Sequence, residues 1–164
     1  MITIVKEFQA KDVMTEAVLT VGTDWPLDHV AEYLVEHSIS GAPVVSEEGW
    51  LIGVISMTDL VRHNTLPERE PQTHTWYTAS NIELESKFAE EELSMFRMGS
   101  SSSTCVGDIM TPVVFRVHES ASLPYVADMM IRGNIHRLFV TRDGKVVGVI
   151  TAFDLLQVIR DLPS

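Results

Sequence analysis

Two short strings in this chain could do chemistry: Ser56-Met57-Thr58-Asp59 and Thr151-Ala152-Phe153-Asp154. In each, a hydroxyl is followed three residues later by a carboxylate, directly after an apolar run. One reading is purely structural. A hydroxyl at the N-cap and an acid at the third helical position form a capping box and start a helix. The other reading uses the same geometry. A helix N-terminus presents unpaired N–H groups that suit a phosphate, and a carboxylate can accept both hydroxyls of a ribose. Gly53 and Gly148 precede the strings and would permit close backbone approach.

Both strings belong to a longer repetition. Lys11-Asp12-Val13-Met14-Thr15 returns as Gly107-Asp108-Ile109-Met110-Thr111, and GVISMTDL at 53–60 returns as GVITAFDLL at 148–156. The offsets are 96 and 95 residues, so two copies share one order with a single residue of slack. A copy of about 55 residues makes a marginal core alone, so the copies are expected to pack together.

The elements that would carry the strings follow from periodicity. In the first copy, 18–21 reads as a strand, and Asp24 is expected to cap a helix with Pro26 in its first turn. Leu27, Val30, Ala31, Leu34 and Val35 mark that helix. Strands at 43–45 and 51–55 form a hairpin around Ser46 to Gly49, and a helix follows Ser56. In the second copy, 113–117 is a strand, Ser120 an expected cap, and Leu123, Val126, Ala127 and Met130 the helix stripe. Strands at 138–140 and 146–150 flank the turn Arg142-Asp143-Gly144-Lys145, and a last helix begins after Thr151. Each copy therefore reads strand–helix–strand–strand–helix, an α+β class. The expected organisation is a first repeat at 1–62, an inserted linker at 63–105 with a helix over 83–98, and a second repeat at 106–164. The insert serves as a strap, or as a lid or dimer contact using Trp76, Tyr77, Phe88 and Phe96.

Charge narrows the partners. The chain of 164 residues carries −11, all of it in residues 1–104, where 17 acids face 6 bases. Residues 105–164 hold six of each. Nucleic acid and anionic membranes are poor partners for the acidic half, and an anionic small ligand prefers the second. No run of about 18 apolar residues indicates a transmembrane helix. The N-terminus lacks a signal-peptide pattern, and a single cysteine, Cys105, fits the cytoplasm. His29, His37, His63, His74, His118 and His136 show no metal-ligand spacing. No phosphate loop or catalytic constellation is present, so the chain is not expected to be an enzyme.

DVMT at 12–15, DIMT at 108–111, GAPVV at 41–45, HRLFV at 136–140 and the paired [ST]-x-x-D strings together resemble a tandem pair of cystathionine-beta-synthase-type (CBS) domains, a Bateman module. The resemblance covers roughly 10–62 and 106–161. It implies a pseudo-twofold pair with sheets packed between the copies. Clefts between the copies would bind AMP, ADP, ATP or S-adenosylmethionine and regulate dimer or partner packing. Asp59 and Asp154 would hold ribose hydroxyls, with Ser56 and Thr151 near sugar or phosphate and Thr15 and Thr111 lining the cleft. Ala17, Val18, Val113 and Val114 would flank the adenine, and Pro43, Val44, Phe139 and Val140 would close its other face. His136 and Arg137 match a basic position directed at phosphates, where the first copy has Ser40 and Gly41, so phosphate binding is expected to be unequal. The resemblance further implies a homodimer of four repeats in a disc, acting on a target protein. The alternative is a structural dimerisation module with empty clefts.

Overall fold

The computed structural model describes residues 8–65, 104–112 and 115–162. The insert helix expected at 83–98, with Trp76, Tyr77, Phe88 and Phe96, lies outside them, as do Val113 and Val114. The chain divides into two compact units. Unit 1 combines Met1–Val18 with Phe115–Ser164, and unit 2 is Leu19–Val114. These packing units are not the sequence repeats, because each copy's opening segment docks onto the body of the other copy.

Unit 2 contains β1 (Val21–Gly22), α2 (Leu27–Glu36), β2 (Gly41–Val45), β3 (Leu51–Ser56), α3 (Met57–Thr65) and α4 (Val106–Ile109). Unit 1 contains α1 (Ala10–Val13), β4 (Arg116–His118), α5 (Leu123–Gly133), β5 (Arg137–Arg142), β6 (Lys145–Thr151) and α6 (Ala152–Arg160). The strand–helix–strand–strand–helix order expected of each copy is present. Each sheet has three strands in sequence order, the first pair parallel and the second antiparallel. A parallel pair needs a crossover, which α2 and α5 supply.

The helices form where the apolar spacing requires. Leu27, Val30, Ala31 and Leu34 are all at most 4% exposed and meet Val44, Ile55 and Leu60 in the core of unit 2. Val35, expected in that stripe, is 39% exposed. Two expected caps move. The N-cap of α2 is Pro26 and that of α5 is Ser122, neither with a side-chain cap bond. Ser120 Oγ instead bonds His118 Nδ1 at 2.7 Å. Asn134 closes α5 in the left-handed conformation at φ 50°, which its short amide tolerates. Asp143 and Gly144, both at positive φ, make the tight hairpin turn between β5 and β6.

The short helices α1 and α4 show how the exchange works. Four residues cannot hold a helix by propensity alone, so packing must do it. Ala10 and Val106 are at 0% exposure. Ala10 and Lys11 donate backbone N–H groups to Ala121 and Glu119; in unit 2, Val106 and Gly107 donate to Trp25 and Thr23. Thr15 then exchanges two backbone bonds with Val149 (2.9 and 3.0 Å), and Thr111 does the same with Val54 (2.8 and 2.9 Å). Of the stretch expected as a strand at 18–21, only Val21 pairs, joining β2 together with Gly22, while Thr15 ahead of the stretch bridges to β6. β4 runs from Arg116 to His118, and the expected start of that strand at 113 and 114 lies outside the described residues.

Candidate functional site

The hydroxyl–acid strings are capping boxes, and they cap in the same way. In unit 1, Thr151 N and Thr151 Oγ1 both donate to Asp154 Oδ2, at 2.7 and 2.8 Å. In unit 2, Ser56 N and Ser56 Oγ donate to Asp59 Oδ2 at 2.9 and 2.8 Å. The structural reading thus holds for both, and it consumes one carboxylate oxygen. Asp154 Oδ1 takes no hydrogen bond among the described residues. Asp59 carries a further interaction beyond the cap.

Two more acids use the same device. Asp12 accepts from Gln9 N, and Asp108 accepts from Cys105 N, each at 2.9 Å. The acids of DVMT and DIMT are therefore helix starters for α1 and α4. The x-x-x-Asp spacing before each short helix was the signal available for them.

The exchange of opening segments decides which predicted residues share a unit. Thr15, Ala17, Val18, His136, Arg137, Phe139, Val140, Thr151 and Asp154 belong to unit 1; Pro43, Val44, Ser56, Asp59 and Thr111 belong to unit 2. Thr15 is bonded to Val149, two residues before Thr151, so a residue of the first copy lies about 7 Å along the strand from the second copy's hydroxyl. Arg137 is the register partner of Thr151, and His136 O accepts from Ala152 N at the start of α6. Arg137 and Asp154, both of the second copy, belong to the same unit.

The four expected adenine-closing residues are all buried. Val44 is at 0% exposure and packs into the α2 core. Val140 is equally buried, and Phe139 is 3% exposed. Pro43 is buried on β2, while Ala17 is exposed and Val18 half-buried.

The glycines before the strings have a different task from the one expected. A Cβ on Gly53 would meet Met110 Sδ and Thr111 O, both at 2.7 Å, and a Cβ on Gly148 would run into Met14. They make room for the methionine of DIMT or DVMT, and the close approach is protein on protein. His136 departs from the ordinary expectation of a satisfied histidine, because its Nε2 is buried with no partner among the described residues. Those residues also contain no cluster of His, Cys, Asp or Glu that could hold a metal ion. They contain no helix long and apolar enough to cross a membrane.

Comparison with known proteins agrees with this geometry. The CBS domain model matches residues 10–65 and 106–161. An uncharacterised protein of Methanocaldococcus jannaschii is 31% identical over 149 residues, covering 90% of this chain and 88% of that one. The crystal structure of the CBS domain of a CBS domain-containing membrane protein from Sphaerobacter thermophilus is 34% identical. It aligns with a TM-score of 0.65 over 94% of this chain and 89% of its own. The chloroplastic CBS domain-containing protein CBSX2 of Arabidopsis thaliana is 27% identical over 140 residues, 80% of this chain. This chain spans 54% of the length of CBSX2. The structure of CBSX2 in complex with AMP aligns with a TM-score of 0.64, at 24% identity, over 93% of this chain and 96% of the solved one. The chain belongs to the CBS domain family, as a tandem pair.

Proposed function

We propose that this chain is a regulatory sensing module that binds an adenosine-containing ligand, AMP, ADP, ATP or S-adenosylmethionine, and transmits its presence through dimer or partner packing. The observation that carries the reading is Asp154. Its Oδ2 fixes the helix start while Oδ1 takes no hydrogen bond among the described residues, in the same unit as an exposed Thr15 and a half-buried Arg137, the register partner of Thr151. That set offers a ribose acceptor, a hydroxyl and a cation within one unit. The described AMP complex of CBSX2 supports the ligand class. The reading requires no catalytic step. A coupling of about 1–3 kcal/mol between ligand and partner would suffice for regulation. The single cysteine supports a cytoplasmic setting.

The test is thermal unfolding of the full chain with each of the four compounds. At 100 times the dissociation constant, a ligand bound only to the native state adds about 2.7 kcal/mol of stability. Protection by at least one of them is expected. No protection and no titration heat from any would reject the reading in favour of a structural module.

One feature favours a protein contact alongside the ligand. α6 has no buried residue, and Phe153, Leu156 and Ile159 are 70%, 57% and 63% exposed. Three large apolar side chains on one nine-residue helix are costly to leave in water. We assign this face to a homodimer contact. Ile159→Asp is expected to shift sedimentation toward the monomer. An unchanged sedimentation coefficient would remove the assignment.

A further inference from the structure

We propose that the two units are unequal by construction. Unit 1 takes the phosphate-bearing nucleotide, and unit 2 excludes it, keeping Asp59 as a buried helix cap. This rests on the sensing reading above and says where, and for which charge class of ligand, it operates.

Accessibility points this way first. The three residues with equivalent roles are Thr15, Thr151 and Asp154 in unit 1, and Thr111, Ser56 and Asp59 in unit 2. Thr15 is exposed, and Thr151 and Asp154 are half-buried. Their counterparts are 2%, 2% and 8% exposed. The first carboxylate is partly open to an incoming ribose. Reaching the second requires displacing what already covers it.

Commitment of the acids agrees. Asp154 has an unused oxygen among the described residues, whereas Asp59 already holds a further interaction. Ligand hydroxyls would add bonds at Asp154, whereas at Asp59 they would compete with an interaction already made.

The charge balance decides the ligand class. Over the described residues, unit 1 has seven acids and seven bases, and unit 2 has eight acids against one base, Arg62. A dianionic phosphate approaching unit 2 meets a field of net −7, while unit 1 is neutral. The local cation is equally one-sided. Arg137 pairs in register with Thr151 and makes no ion pair among the described residues. The corresponding partner of Ser56 is Gly41. A Cβ there would meet Ile55 O at 2.9 Å, so a side chain at this position of unit 2 would force the backbone to shift. The unpartnered, buried Nε2 of His136 adjoins Arg137, again in unit 1.

Calorimetric titration of the full chain with AMP and with adenosine, joined to photolabelling by 8-azido-AMP, tests this. One AMP per chain is expected, with label recovered on peptides from 8–18 or 115–162. Arg137→Ala is expected to weaken AMP about tenfold, the scale on which local charge changes ligand concentration, and to leave adenosine unchanged. Arg137→Lys should recover most of the loss. Two AMP per chain, label within 40–60 or 104–112, or an unchanged AMP-to-adenosine ratio in Arg137→Ala would each overturn the inequality while leaving the sensing reading intact. Binding of neither compound, nor of ADP, ATP or S-adenosylmethionine, would overturn both.

Discussion

Unit 1 and unit 2 build the same hydroxyl–acid cap from the same spacing, yet one cap is half-open and the other sealed. Thr151 and Asp154 sit at the start of a helix with no buried side chain, while Ser56 and Asp59 start a helix anchored by Leu60 at 1% exposure. The difference teaches that a motif sets local geometry, and its surroundings set whether that geometry is spent on folding or left for a ligand. Burial raises the structural value of a hydrogen-bonded carboxylate, because its partners lose water as well as the acid when it is removed.

The largest expected effect separates these roles directly. Asp59→Ala leaves Ser56 N without its acceptor at a buried position, and a loss of about 2–3 kcal/mol in ligand-free stability is expected. Asp154→Ala removes the same two bonds at a half-buried cap and should cost about 1 kcal/mol. Urea unfolding of the two variants measures both. Equal losses would mean that the two caps do the same structural work. A ligand role for Asp154 adds a second signature: Asp154→Ala loses the thermal protection by nucleotide that the unaltered chain shows.

The glycines sharpen the comparison one step further down in size. In Gly53→Ala the new methyl meets the Thr111 carbonyl as well as Met110 Sδ, and backbone cannot step aside cheaply. A cost of about 2 kcal/mol is expected, as for overpacking in a closed site. In Gly148→Ala every near atom belongs to the Met14 side chain, which can change rotamer. That variant should lose about 1 kcal/mol, and the Met14→Ala double variant should recover part of it. A larger loss at Gly148 than at Gly53 would contradict the view that unit 1 is the more yielding of the two.

Much of this comparison was legible in the residues, and one part was not. The repeat itself, the element order, the α2 and α5 stripes and the two capping strings all follow from local spacing, which acts through neighbours three and four positions away. The docking of α1 and α4 does not. Each is a four-residue helix that buries one apolar side chain, Ala10 or Val106. No local pattern of spacing says which copy receives which helix. The exchange is fixed by long-range backbone pairing at Thr15–Val149 and Val54–Thr111. For the same reason the sequence could name Thr15 and Arg137 as site residues without assigning them to one unit. The task of the glycines was hidden likewise, because only the docked methionines explain it.

The smallest expected effect concerns how each unit braces its hairpin turn. In unit 2 the turn is held locally, by Trp50 N to Ser46 Oγ at 3.2 Å and by Trp50 Nε1 to Glu48. In unit 1 it is held at a distance. Arg142 makes a two-pronged ion pair with Glu119, at 2.6 and 2.5 Å. Glu119 also fixes the α1 contact through its carbonyl, which accepts from Lys11 N. The hydrogen bond from Arg142 holds the Glu119 carboxyl below its ordinary pKa. A carboxylate with a lowered folded-state pKa favours the native state above its unfolded pKa, and that contribution disappears as pH falls through the folded value. The stability difference between the unaltered chain and Glu119→Gln should therefore be constant at neutral pH and vanish on acidification below the usual carboxylate range. Because the pair is solvated it should also shrink in molar salt. A difference that persisted at low pH would assign the role of Glu119 to its main-chain bonds, which Gln preserves only if the loop keeps its shape without the charge.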